Sequence, residues 1–178
     1  MARKINISWI VVWSFVGVVA SIVFLNDYWI KNKKKAIDEI VETSYDINGV
    51  NYPSYSQLKY IALNELSFDE VPMILARCGM SKEPSPSGSS VNYYGSCGKL
   101  YLQILDRSNN DEFVIYSYHL PSNKEYSKML RTEIMGESNI EEGEFFLTAT
   151  INDYWFVTLS HDSSNLHFQR FQSKKLPK

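Results

Sequence analysis

The sequence predicts an α+β protein: a single N-terminal transmembrane helix, then a small domain with an antiparallel sheet of about five strands and about three helices. Three observations carry that expectation. Residues 5–25 read INISWIVVWSFVGVVASIVFL, a run of 21 residues without a charge. Apolar side chains recur at helical spacing between residues 36 and 78, and from residue 99 they alternate every second position, apart from one helical stretch at 122–135. The breaks between these stretches hold Gly, Pro, Asn, Asp and Ser, the residues that turns and caps require.

At 1.5 Å per residue the uncharged run spans a hydrocarbon layer of about 30 Å, so residues 5–25 are expected to contact membrane lipid. Trp9 and Trp13 lie toward one end, and Tyr28 and Trp29 follow the other, where amphipathic rings favour the headgroup level. Val18-Val19-Ala20 resembles a signal-peptide cleavage site. The apolar run continues to Leu25, however, and exceeds the roughly 7 to 15 residues of a signal core, which favours a retained anchor over residues 1–30. Orientation is contested: two Lys or Arg precede the run and four follow it, which by the positive-inside count favours a cytoplasmic domain. A short basic N-terminal end and the indifference of long domains to flanking charge favour the opposite. The cysteine pair tips the expectation toward a single-pass protein of the inner (cytoplasmic) membrane with an extracytoplasmic domain.

The 178 residues suffice for one globular domain behind the anchor. An aromatic content of 14%, with 12 tyrosines, supplies enough bulk to offset the ordering entropy and argues against disorder. The net charge of −2 is unevenly spread. Arg3, Lys4, Lys31, Lys33, Lys34 and Lys35 face a single acid, Asp27, before residue 36, leaving 12 basic and 19 acidic residues beyond it, a net of −7. An acidic domain repels phosphate backbones, so nucleic acid is not an expected partner and a protein with a basic surface is.

In chain order, residues 31–51 are expected to form a juxtamembrane helix and linker. Ala36, Ile37, Ile40 and Val41 make its apolar stripe, and Lys34/Asp38 and Lys35/Glu39 stand at i,i+4 spacing. Gly49 and Pro53 break the pattern, placing the start of a domain over residues 52–173 at Tyr52, with a basic tail at 174–178. Ser54 and Gln57 fit a capping box for a helix over 55–66, carrying Tyr55, Leu58, Ala62 and Leu66 inward. A second stripe of Val71, Ile74, Leu75 and Cys78 ends at Gly79, and Asp69 as N-cap leaves Pro72 in the tolerant first turn. Residues 81–96, rich in Ser, Pro and Gly, read as loop.

KLYLQILD and EFVIYSYHL form a hairpin through Ser108, Asn109, Asn110 and Asp111. Ser122 and Glu125 cap a helix that Gly136 ends, with Tyr126, Met129, Leu130 and Ile134 on one face. The acidic segment ESNIEEGE reads as a linker, and FFLTATI, YWFVTLSH and LHFQRFQ complete the strands.

Chemistry is sparse. Cys78 and Cys97 bracket the serine-rich loop, and in an oxidising compartment a disulfide there stabilises by about 3 kcal/mol in the chain-entropy model. Two separate buried thiols are the alternative. No CxxC occurs, which removes redox exchange and a zinc ribbon. If the last two strands form a hairpin, His161 and His167 approach each other beside Asp162, yet no three- or four-ligand set is evident, so neither metal nor cofactor is expected. Ser160-His161-Asp162 spells a catalytic triad, but adjacent residues point in different directions. GxSxG, P-loop and GxGxxG motifs are missing from the sequence, and no enzymatic activity is expected.

Glu137, Glu141, Glu142 and Glu144 suit either a solvated linker or a dock for a basic partner. Tyr93, Tyr94, Tyr116, Tyr118, Tyr154 and Trp155 read first as sheet residues of high β propensity, and as a recognition surface in the second place, for which the 81–96 segment with Tyr93 and Tyr94 is the preferred candidate. The only Asn-x-Ser/Thr sequon, Asn6-Ile7-Ser8, lies in the membrane run, which fits a bacterial chain. The expected function is a membrane-anchored, non-enzymatic binding protein of the bacterial cell envelope, inhibitor- or immunity-like. The alternatives are an accessory subunit of a membrane complex, packing through Gly17, Ala20 and Ser21, and a small envelope enzyme using His161 or His167.

Overall fold

The computed structural model describes residues 7–83, 90–95, 98–106 and 113–171, with side chains over 14–83, 99–104 and 114–170. The chain divides into two compact units, Met1–Glu39 and Ile40–Lys178.

The first unit is dominated by α1, a 35-residue helix over Ile7–Val41. Anchor and stalk are one continuous helix, because residues 26–35 hold neither Gly nor Pro and several good helix formers. Its apolar side chains are exposed, Phe15 by 70% and Phe24 by 71%. A helix apolar all round is stable only within a core or a bilayer, and α1 is long and apolar enough to cross a membrane. The Ser21 hydroxyl donates to Gly17 O at 2.8 Å, so this polar atom is satisfied within the helix itself.

The second unit is α+β. It begins ahead of Tyr52, because DINGVNY folds as a tight hairpin of β1 (Tyr45–Ile47) and β2 (Val50–Tyr52) instead of a linker. Asn48 and Gly49 have positive φ of 54° and 79°, as a two-residue hairpin turn demands, and Asp46 Oδ1 accepts from Gly49 N. α2 (Tyr55–Leu63) starts with the expected capping box: Ser54 Oγ accepts from Gln57 N at 3.1 Å and Gln57 Oε1 accepts from Ser54 N at 3.0 Å. The helix stops short of residue 66, where Glu65 turns to positive φ and Leu66 N bonds back to Ile61 O. α3 (Val71–Ile74) has Glu70 at its N-cap, one residue later than expected, and keeps Pro72 in the first turn. A 3₁₀ turn over Ala76–Cys78 ends at left-handed Gly79.

The sheet has eight strands among the described residues, more than the expected five. They are β3 (Ser81–Glu83), β4 (Ser90–Gly95), β5 (Gly98–Asp106), β6 (Phe113–His119), β7 (Ser138–Glu142), β8 (Phe146–Thr150), β9 (Trp155–Ser160) and β10 (Asn165–Phe171). The order is β3-β4-β5-β6-β10-β9-β8-β7, antiparallel throughout. The extra strands come from the segments read as loop and linker. In β3 and β7 the Ser, Lys, Asn and Glu residues have low strand propensity, and pairing with β4 and β8 overrides it, whereas β4 carries the strand formers Val91, Tyr93 and Tyr94. α4 (Lys124–Ile134) joins β6 to β7, and its N-cap is Asn123, not Ser122, with Oδ1 accepting from Glu125 N and Tyr126 N.

Alternation along the strands puts Leu100, Leu102, Tyr116, Tyr118, Val157, Leu159, Leu166 and Phe168 on one buried face. The helices close over it with Leu58, Ile61, Ile74, Tyr126, Leu130 and Ile134, all within 1% of full burial. Tyr118 OH donates to Leu58 O at 3.1 Å, Tyr116 OH donates to Leu66 O at 3.4 Å, and the Tyr55 and Phe168 rings stack at 5.7 Å.

Truncating this layer separates packing from capping. Leu58→Ala should cost about 3 kcal/mol through the cavity it leaves, and Ser54→Ala about 1 kcal/mol through the lost cap. Denaturant unfolding of the full chain in non-ionic micelles checks both magnitudes, and equal costs would contradict the assignment of Leu58 to the centre of the core.

Candidate functional site

Strand alternation that buries one face leaves the other without a helix of this unit upon it. Lys99 and Gln103 on β5 and His119 on β6 are exposed, and Tyr101, Ser117, Phe156, Thr158, His167 and Gln169 are half-buried. One-sided burial is the usual condition of an antiparallel sheet, so exposure alone implies no ligand. The composition is more informative: rings, amides, hydroxyls and imidazoles share a continuous face.

At its centre lie two histidines. In the β6–β10 register His119 faces Asn165 and His167 faces Ser117, which makes the histidines diagonal neighbours on adjacent strands. His167 Nδ1 is 2.9 Å from Ser117 Oγ, and the His119 ring meets Tyr101 at 5.0 Å between centroids. Burial, and then the neighbouring charge of His119, push His167 below the usual imidazole range. Lys99, Tyr101, Gln103, His119 and Leu120 line an open depression of ≈ 530 Å³. Being open, it suits a protruding side chain better than an enclosed small molecule. The expected approach of His161 to His167 does not form: His161 sits exposed in the β9–β10 turn, whereas His167 lies within β10 opposite Thr158. The signal for this site was the alternation of EFVIYSYHL and LHFQRFQ, but their adjacency depends on a long-range pairing.

The letters Ser160-His161-Asp162 build a turn. Ser160 Oγ donates to Asp162 Oδ1 at 2.6 Å, and the same oxygen accepts from Ser164 N at 3.0 Å and Ser164 Oγ at 2.8 Å. These bonds, that from Ser160 foremost, hold the Asp162 carboxyl below its ordinary range. A nucleophilic serine gives its proton to an imidazole; here the hydroxyl serves the turn. Among the described residues, no group of three or more His, Cys, Asp or Glu is placed to hold a metal ion.

The four glutamates do not share one surface. Glu137, with a side chain only 15% exposed, accepts from Tyr55 OH at 2.9 Å and pairs with Lys59, whose ammonium also lies 5.6 Å from the Tyr55 ring centre. Burial, and then the Glu137 charge, raise the Tyr55 hydroxyl far above its ordinary range. Glu142 pairs with Arg131 of α4, while Glu141 and Glu144 are exposed. Glu141 and Glu142 lie on β7, an edge strand with an irregular register and positive φ at Asn139, a combination that discourages further strand pairing. Tyr93 and Tyr94 stand on β4, opposite Leu100 and Lys99 in register, and their side chains lie outside the described residues. Cys78 is fully buried, its Sγ 3.8 Å from Gln57 Oε1. Cys97 and the expected Cys78–Cys97 bond lie outside the described residues.

Two outcomes follow from this geometry. Glu137→Ala strips partners from a mostly buried hydroxyl and ammonium and should cost about 1–3 kcal/mol, whereas Glu141→Ala and Glu144→Ala should stay within about 0.5 kcal/mol; comparative unfolding of the three variants checks the ranking. His167 has a folded-state pKa below its unfolded value of about 6.5, so the unfolded chain takes up the proton first. Its stabilising contribution is complete above that value and is lost as pH falls through the folded value. Thermal midpoints between pH 7.5 and 5 should therefore fall less steeply for His167→Gln than for the parent. Asp162 does not confuse the measurement, because its contribution is lost only at lower pH, in and below the carboxylate range.

Comparison of the chain with protein-family models, with curated proteins and with solved structures gives no match in any of the three, so the functional reading rests on this geometry.

Proposed function

We propose that the chain is a membrane-anchored, non-enzymatic binding protein of the bacterial cell envelope. In this reading residues 5–25 hold it in the inner membrane, and the acidic domain, outside the cytoplasm, captures another protein as an inhibitor or immunity factor does. The observation that carries the reading is the uncovered sheet face. Four strands, β5, β6, β10 and β9, spaced about 4.8 Å apart, at about 3.3 Å per residue, make a surface roughly 15 Å by 20 Å, shaped for a protein rather than a small molecule.

Its chemistry suits that use. Tyr101 and Phe156 supply rigid apolar area, and Gln103, Ser117, Thr158 and Gln169 supply hydrogen bonds that adapt to a partner. β4, which carries Tyr93 and Tyr94, borders the face on one side, and the exposed Glu141 and Glu144 lie toward the other edge. The net charge of −7 beyond residue 36 favours a basic partner and speeds its encounter.

A photoreactive amino acid placed at Gln103 or at His119 in living cells should give one discrete protein adduct. The same probe at Thr132, exposed on α4, should not. Absence of a specific adduct from the sheet face, or equal adducts from α4, would remove this reading.

A further inference from the structure

A sharp charge contrast lies within α1. Apolar exposure continues through Phe24, Leu25, Tyr28, Trp29 and Ile30, the last still 52% exposed, and is followed at once by Lys31, Lys33, Lys34 and Lys35. The helix does not break at this boundary. Lys35 therefore stands only about 7.5 Å beyond Ile30 along the axis, and all four lysines fall within one Debye length, about 8 Å, of the headgroup layer.

The side chains are arranged to work there. Lys33 Nζ lies 5.3 Å from the ring centre of Trp29, one turn back along the helix, a cation–π contact at the junction of the apolar and basic stretches. Lys31 is the lysine neutralised within the boundary, paired with Asp27 at 2.8 Å. Among the described residues, Lys33, Lys34 and Lys35 form no ion pair within α1, although Asp38 and Glu39 stand one turn farther along. The segment from residue 27 to residue 35 thus carries a net charge of +3 beside exposed Tyr28 and Trp29.

We infer that this lysine cluster is a binding site for the headgroups of anionic phospholipids in the leaflet on the domain's side of the membrane. The ammonium groups bond the headgroup phosphate, and the surplus positive charge selects lipids with net negative charge over zwitterionic ones that carry the same phosphate. The inference rests on the membrane-anchored reading and adds a lipid specificity to it.

The test uses the full chain reconstituted into phosphatidylcholine vesicles with a minor fraction of phosphatidylglycerol. Spin-labelled versions of the two lipids report, by electron spin resonance, their relative association with the protein. Phosphatidylglycerol should be preferred several-fold at low salt, the preference should shrink toward unity at about 1 M salt, and the variant carrying Lys31→Gln, Lys33→Gln, Lys34→Gln and Lys35→Gln should show none. Equal association of both lipids with the parent chain, or a preference that survives the four replacements, overturns the inference while leaving the anchor intact. A chain that does not float with the vesicles at all overturns the anchored reading itself.

Discussion

Everything in the second unit depends on covering the apolar side of the β6–β10 pair. These strands sit at the centre of the sheet, yet about fifty residues separate them in sequence, and β10 is the last strand of the described chain. The inward face of the sheet is complete only when Leu166 and Phe168 slot between Tyr116 and Tyr118 on one side and Val157 and Leu159 on the other. α2 then seals it. A core closed by so remote a pairing pays its loop entropy before the contacts reward it, which places the fold on the slow, nonlocal side of folding behaviour.

Several tyrosines carry hydrogen bonds across this seal. Tyr118 reaches from the sheet to the Leu58 carbonyl within α2 and Tyr116 to the Leu66 carbonyl just past it, Tyr45 OH accepts from the Tyr55 backbone N–H at 3.0 Å, and Tyr55 OH reaches Glu137. Each side chain contributes a large apolar ring and ends in an atom that a buried backbone or carboxylate group needs. Desolvation at these positions is strong enough to push Tyr45 up to about 12. Much of the unusual tyrosine content is therefore structural, and the aromatic composition that suggests recognition is in part the mortar between layers. The same applies to Glu137, whose carboxylate belongs to the helix–sheet boundary although its neighbours in sequence are solvent-facing.

What remains exposed falls into two kinds. The apolar side chains of α1 are exposed on a helix long and apolar enough to cross a membrane, and a cluster of lysines follows them. The open face of the sheet is exposed because the helices of the unit occupy one side only, and its imidazole, amide and hydroxyl groups are compatible with water as well as with a protein surface.

The sequence by itself determined what local physics determines. An uncharged run of membrane length, the Ser54–Gln57 capping box, Gly79 as a left-handed stop and the alternation of β5, β6, β8, β9 and β10 are each decided by residues within a few positions of one another. The Asn48-Gly49 hairpin was equally local, and its signal was masked by the linker-like composition around it. Only the tertiary structure decided that residues 81–83 and 138–142 become strands, since their own propensities are weak and the partner strands supply the hydrogen bonds, whereas 90–95 holds Val91, Tyr93 and Tyr94 and its strand signal was hidden by the Ser, Pro and Gly around it. It alone placed His167 beside His119 rather than His161, and turned Glu137 inward while leaving Glu141 and Glu144 in water. Those outcomes depend on which strands become neighbours, and strand order is set by the joint burial of one face, a free energy that no short stretch of sequence contains.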